Sequence, residues 1–254
     1  PLQRLEDLVY TGINQGAKNL GLKERRIIIK LSPRLQAVAG LIEPGLKIAD
    51  IGTDHAYLPI YLVEQNIIPA AVAIDIHQGP YESALKQVRI QGLADKISVR
   101  LGDGFNPVTP GEVQGAVLAG MGSTTMVEIL GKNPGLVAEF RQLVMQPMAG
   151  AAQIRNWLSK NKWLVNKEVL VEDEGFIYIV IGAIPGEQSI TDWLSLELGP
   201  IILKEKPPLL KPYVEKKIQD YKNILAGLEQ ARSGEIEQKK LDLRAKICLL
   251  KGVL

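Results

Sequence analysis

"ADIGTDHAYLPIYL", residues 49–62, begins like the end of a buried strand and finishes like the start of a helix. The loop between them decides what the fold can hold. A dinucleotide loop needs G-x-G-x-x-G, because backbone must approach a pyrophosphate closely at a helix N-terminus. This loop reads D-I-G-T-D-H, with one glycine (Gly52) and with Asp54 where the second glycine would stand. A pyrophosphate would meet like charge at short range there. A Walker lysine is also missing, so NAD and ATP are disfavoured.

Outward from this loop the chain alternates short apolar runs with helical stretches. Residues 46–52, 70–76, 97–104, 115–122 and 141–148 read as strands, and 56–67 and 79–93 as helices. Strands apolar on both faces, alternating with helices, specify an α/β, doubly wound parallel sheet. "WLVNKEVLVEDEGFIYIVIGAI" (163–184) reads instead as two strands joined by the acidic turn "EDEG", an antiparallel hairpin at one edge. Upstream, Ser32 and Pro33 are a cap and first-turn pair before Leu35, Val38, Ala39 and Ile42 at helical spacing. Residues 1–30 are expected to form a helical extension. Residues 31–188 are expected to form the ligand-binding domain and 189–254 a helical domain. The chain opens on Pro1 rather than Met, which suggests a start further upstream.

In the last part, Val214, Ile218, Tyr221, Leu225 and Leu228 follow the rhythm of a coiled-coil seam, and Leu241, Ala245 and Cys248 resume it. A turn at Ser233-Gly234 makes the pair an antiparallel helical hairpin. Residues 201–254 hold twelve Lys/Arg against seven Asp/Glu, a surplus of five where the whole chain has a net charge of +2. The hairpin is therefore either a solvated pair or a surface for RNA. With 46% hydrophobic residues and one cysteine, the chain can bury an aliphatic core but cannot form an internal disulfide. The expectation is a cytoplasmic protein with no metal site, no membrane span and no secretory signal, and a monomer is the simplest assembly.

A ligand without phosphates and with positive charge suits the acidic loop. S-adenosylmethionine carries an ammonium, a sulfonium and an adenosine that needs acceptors. Asp50 and Gly52 end the first strand, and Asp75 ends the second, where it can accept from both ribose hydroxyls. Asp103 in "LGDGF" can accept from the adenine amino group, with Gly102 and Gly104 letting backbone pass close to the base. Gly120-Met121-Gly122 would open the floor after the fourth strand. Strand-end aspartates also cap helices, so each acid alone has a second explanation. His55 is a possible base or cofactor contact, but also a packing or capping residue. Tyr57 could stack on adenine or fill the sheet–helix interface. His77 and Cys248 are assigned to a solvent-facing loop and the helical seam.

"LSPRLQAVAGLI", "ADIGTDHAYLPIYL", "GPYESALKQV", "ISVRLGDG", "LAGMGS", "LVMQPM" and the helical tail together resemble the bacterial tRNA (adenine-N1)-methyltransferases that act on adenine 22. "DHAYLP" and "AGMG" are the most specific pieces. The resemblance implies a Rossmann-like methyltransferase domain, S-adenosylmethionine as donor, and a coiled-coil hairpin that helps hold tRNA. It puts Asp50, Gly52, His55, Asp75, Asp103, Gly104, Gly120, Met121 and Gly122 at the cofactor and Asp54 between cofactor and target base. This chain has Ser123 where the family usually has the last glycine of G-M-G-G, and Met148 where it usually has asparagine. On this reading Asp54 orients the adenine and stabilises its developing positive charge. Arg34, Arg25, Arg26 and Lys30, with Lys211, Lys216, Lys217 and Lys222, would contact RNA backbone and help offset extrusion of the base. The alternatives are a methyltransferase for another RNA base or small amine, and a non-catalytic partner-binding module.

Overall fold

Ser32 begins the first helix as its sequence suggests. Its hydroxyl accepts from Leu35 N at 3.4 Å, and Pro33 fills the first turn of α1 (Pro33–Leu41), where no N–H is required. The computed structural model describes residues 29–228 and 234–254. The helical extension expected over 1–30, apart from its last two residues, lies outside the described residues, as do Arg25, Arg26 and Ser233.

Five parallel strands form one side of the sheet: β1 (Ile48–Ile51), β2 (Ala71–Asp75), β3 (Ile97–Leu101), β4 (Gly115–Met121) and β5 (Gln142–Pro147). Helices α2 (Tyr57–Glu64), α3 (Gln78–Ile90), α4 (Ser123–Lys132), α5 (Pro134–Ala138) and α6 (Ala151–Lys160) connect or follow them. Then β6 (Trp163–Asp173) and β7 (Phe176–Pro185) complete the seven-stranded sheet in the order β3-β2-β1-β4-β5-β7-β6. β7 runs antiparallel to both β5 and β6, so the hairpin extends one edge as expected. Its turn is the two-residue loop Glu174-Gly175, with φ of 50° and 78°, the left-handed pair that matches strand twist.

The chain reverses direction across the sheet between β1 and β4, and the crevice over their carboxyl ends is where such folds take ligands. Alternate residues of β1 and β2 serve different faces. Ala49, Ile51, Val72 and Ile74 join one apolar cluster, while Ile48, Ala71 and Ala73 join the other. Both faces are dry, which explains why these strands read as unbroken apolar runs.

The first of those clusters continues through α7 (Trp193–Leu198), α8 (Pro200–Glu205), α9 (Leu210–Leu228) and α10 (Gly234–Lys251), by way of Leu198, Ile202, Val214, Ile218, Ile247 and Leu250. A fully buried ion pair holds the junction. Arg155 Nε donates to Glu168 Oε1 at 2.6 Å, Arg155 Nη1 donates to Leu196 O at 2.6 Å, and Ile201 N donates to Glu168 Oε2 at 3.0 Å. Gly199 passes so close that a Cβ there would lie 2.4 Å from Glu168 Oε2, and its φ of +103° excludes most side chains.

The expected seam needs one correction. In α9, Val214 and Ile218 are buried and Tyr221, Leu225 and Leu228 are half-buried. In α10 the buried positions are Lys240, Leu243, Ile247 and Leu250, while Leu241, Ala245 and Cys248 face outward. Both sets have spacings of three and four, so the periodicity suits either face. Packing against α9 selects the one that buries the larger side chains.

Candidate active site

Two backbone donors pin the loop after β1 to the neighbouring strand: Gly52 N and Thr53 N both donate to Ile74 O, at 2.9 and 3.0 Å. Gly52 has φ +75°, and a Cβ on it would lie 2.9 Å from the terminal methyl of Met121. Asp54 (φ 52°) and Ala56 (φ 57°) also adopt left-handed backbone, each at a cost of roughly 1–2 kcal/mol for a residue with a Cβ. The contacts around the loop hold this conformation. Asp54 N donates to Asp75 Oδ2 at 3.2 Å, and His77 N donates to Asp75 Oδ1 at 3.0 Å. The buried carboxylate of Asp75 thus ties two loops together and does not cap α3. The side chain of Asp54 is left free to project, 67% exposed.

Beneath it lies Asp50, 5% exposed, whose Oδ2 accepts the Thr53 hydroxyl at 2.6 Å. Burial pushes its carboxyl up from the ordinary 3.8 to about 6; the Thr53 hydrogen bond opposes this and the nearby Asp75 carboxylate adds to it. A cation placed in the cleft would favour the ionised form.

Arg34 stands opposite. Its Nη1 donates to Gln146 Oε1 at 2.5 Å, its Nε lies 3.9 Å from Asp173 Oδ2, and its guanidinium lies 5.6 Å from the Tyr178 ring centre. The same Gln146 oxygen accepts from Gly120 N at 3.0 Å. One buried amide therefore positions both the arginine and the end of β4. Arg34, Asp50, Thr53, Asp54, His55 and Gly120 are among the residues lining a cavity of about 220 Å³. Gly120 and Met121 belong to β4 itself, at a bulge between Ala119 and Met121, rather than following the strand. Gly122 precedes α4 with extended backbone.

Further along the sheet, Ile76 and Leu101 are large apolar side chains left 56% and 46% exposed just beyond β2 and at the end of β3. Asp103 is nearby in sequence, with Oδ2 accepting from Lys132 Nζ at 2.6 Å. The glycines around it answer to the protein's own packing. A Cβ on Gly102 would lie 2.3 Å from Pro107, and one on Gly104 (φ +54°) would lie 3.0 Å from Ile129.

His55 does not cap α2, whose N-cap position is Ala56 without a side-chain bond. Its ring stacks on Tyr57 with centroids 5.2 Å apart, and Nε2 lies 3.6 Å from Asp54 Oδ1. Tyr57, 40% exposed, does not fill the sheet–helix interface. Among the basic residues expected at RNA, Lys211 and Lys222 are exposed on α9. Lys216 pairs with Asp220 at 2.8 Å, and Lys217 is held by Glu197, so it is not a free phosphate ligand. Thr53, Gln146, Ile76 and Leu101 were not signalled by the sequence: Gln146 takes its role from Arg34, far away in the chain, and the burial of Asp50 under Thr53 and the exposure of Ile76 and Leu101 are properties of the folded surface. Among the described residues there is no His/Cys/Asp/Glu cluster able to hold a metal, and no helix is long and apolar enough to cross a membrane.

A family model described as tRNA (adenine(22)-N(1))-methyltransferase matches residues 48–252. The protein of that name from Bacillus subtilis (strain 168) is 37% identical over 232 residues, 89% of this chain and 98% of its own. A Streptococcus pneumoniae structure, described as a putative tRNA (m1A22) methyltransferase in complex with S-adenosyl-L-methionine, matches with a TM-score of 0.77. It is 31% identical, over 89% of this chain and 100% of that one. The M. capricolum TrmK structure with S-adenosyl-homocysteine matches with a TM-score of 0.75 and 31% identity, over 87% and 96% of the two chains.

Proposed function

The chain belongs to the tRNA (adenine(22)-N(1))-methyltransferase family and is an S-adenosylmethionine-dependent enzyme for N1 of a tRNA adenine; from that premise we propose how its cleft carries out the transfer. The cleft suits the donor chemically. Exposed Ile76 and Leu101 offer apolar faces for a purine, Asp75 and Asp103 keep acceptor capacity, and Arg34 can take a carboxylate across from the acids. Asp50 and Asp75 lower the potential where an ammonium would lie, while Gly52 and Gly120 leave room for the side chains of Met121 and Arg34 beside the cleft.

When bound, S-adenosylmethionine supplies a methyl group made electrophilic by the sulfonium. The N1 lone pair of adenine is available without a general base, so the protein's work is positioning. As the N–C bond forms the methyl–sulfur bond breaks, S-adenosylhomocysteine leaves as a neutral thioether, and the positive charge passes to the purine. Asp54, held by its left-handed backbone and by Asp75, accepts from the exocyclic amine and stabilises that charge. That presentation of one exposed carboxylate at the mouth of the cleft carries the proposal. His55 beside it helps orient the carboxylate. Residues 31–188 form the chemical unit and 189–254 the unit that holds tRNA, with Lys211 and Lys222 toward the phosphates. A tRNA substrate supports the cytoplasm as its place of work.

The test is methyl transfer from labelled S-adenosylmethionine to unmodified tRNA transcripts carrying adenine or guanine at position 22. Transfer to the adenine transcript alone is expected. Asp54→Ala should lower kcat by about 100-fold or more, the scale of one lost electrostatic stabiliser, with cofactor affinity within a few-fold of wild type. Equal losses in rate and cofactor affinity would make Asp54 a cofactor ligand instead.

A further inference from the structure

A second cavity, of about 360 Å³, has Tyr178 in its lining, the ring that Arg34 contacts. Arg34 lines the first cavity and Tyr178 the second, so a cation–aromatic contact links the linings of the two. The second cavity is bounded by the segment after β5, by the tip of the β6–β7 hairpin and by α9. Phe176 and Met148 are among its lining residues, and both leave large apolar side chains uncovered, 61% and 47% exposed. Phe176 follows the Glu174-Gly175 turn directly and pairs with Tyr178 at 6.3 Å between ring centres. The charges in the cavity cancel: Lys216 is paired with Asp220 and Lys217 with Glu197. Paired charges and uncovered rings suit the flat face of a base better than a phosphate.

We propose that this cavity receives a nucleotide directly adjacent to the methylated adenine, stacking its base on Phe176. The proposal rests on the reading of the first cleft as the methylation site. If the adenine meets Asp54, the Arg34–Tyr178 contact makes the second cavity the neighbouring recess for an unstacked base beside it. Recognition of splayed bases by aromatic stacking is the usual route to single-stranded RNA. Phe176 thus favours tRNAs whose neighbouring base can unstack, beyond the adenine itself.

The experiment compares wild type, Phe176→Ala and Phe176→Trp on tRNA transcripts that are intact or carry an abasic residue on either side of position 22. Phe176 is exposed, so these variants should fold, and calorimetric binding of S-adenosylmethionine checks the first cleft. Expected for Phe176→Ala is a loss of about 5- to 150-fold in kcat/KM for tRNA, the range for one lost base–aromatic stack, with unchanged cofactor affinity. Phe176→Trp should restore activity. One of the two abasic transcripts should cost wild type a similar factor and Phe176→Ala almost nothing more. Activity of Phe176→Ala within two-fold of wild type would overturn the proposal, as would losses that multiply with both abasic transcripts. Failure of wild type to methylate the intact adenine-22 transcript would sink the preceding reading and this one together, whereas the other two failures leave the preceding reading standing.

Discussion

Replacing Asp50 by asparagine should make the protein more stable at neutral pH and remove a pH dependence that wild type shows. The carboxyl is 5% exposed, and burial raises it from 3.8 to about 6. A folded-state value above the unfolded one favours the protonated form in the native protein. The stability is therefore fully present below pH 3.8 and is lost as pH rises to about 6. At roughly 1.4 kcal/mol per pH unit the loss is about 3 kcal/mol, complete by pH 7. Asparagine has the same size and can still accept from the Thr53 hydroxyl, so it escapes the loss. Urea unfolding of both proteins between pH 4 and 7.5 reads the difference, since all other titrating groups are common to both. The gap should widen by about 3 kcal/mol in favour of Asp50→Asn as pH rises. A gap that stays constant across this range would show that Asp50 titrates normally and would refute the burial argument. A bound cation should reverse the balance by favouring ionised Asp50. Wild type should then bind S-adenosylmethionine more weakly at pH 5 than at pH 7.5, with proton release near pH 6, while Asp50→Asn binds with little pH dependence.

Further substitutions probe the site and the buried ion pair. Arg34→Gln should weaken S-adenosylmethionine roughly 10- to 100-fold, the scale of one charge-assisted hydrogen bond, and leave 5′-methylthioadenosine, which lacks the carboxylate, unaffected. Calorimetry with both ligands decides it, and equal weakening would mean that Arg34 only shapes the loop through Gln146 and Asp173. Glu168→Gln should cost about 3–5 kcal/mol in urea unfolding, because it strands the buried Arg155 guanidinium. Arg155→Met combined with Glu168→Leu should cost less than the sum of the single changes, and simple additivity would count against a coupled pair.

The alternating pattern legible in residues 46–148 was enough to specify five parallel strands, because burial on both faces leaves apolar runs that no exposed element would carry. The acidic turn gave the hairpin, since only a few residue pairs adopt the left-handed backbone seen at Glu174-Gly175. The local motif "DIGTDH" likewise marked the cleft, because an acid in place of a glycine alters ligand charge wherever the chain goes. Long-range contacts were not legible. Which face of α10 is buried depended on α9, and two heptad-spaced apolar sets in one helix look alike in sequence. Gln146 gained its role from Arg34, 112 positions away, and Arg155 from Glu168 and the carbonyls of α7. The sequence by itself determined the order of the strands along the chain, the first two crossover helices and the charge of the first loop, all of which depend on neighbours within a few residues. Tertiary structure alone decided which acids are buried, which lysines are already paired and where the second cavity opens, because burial and pairing are properties of surfaces brought together from distant parts of the chain.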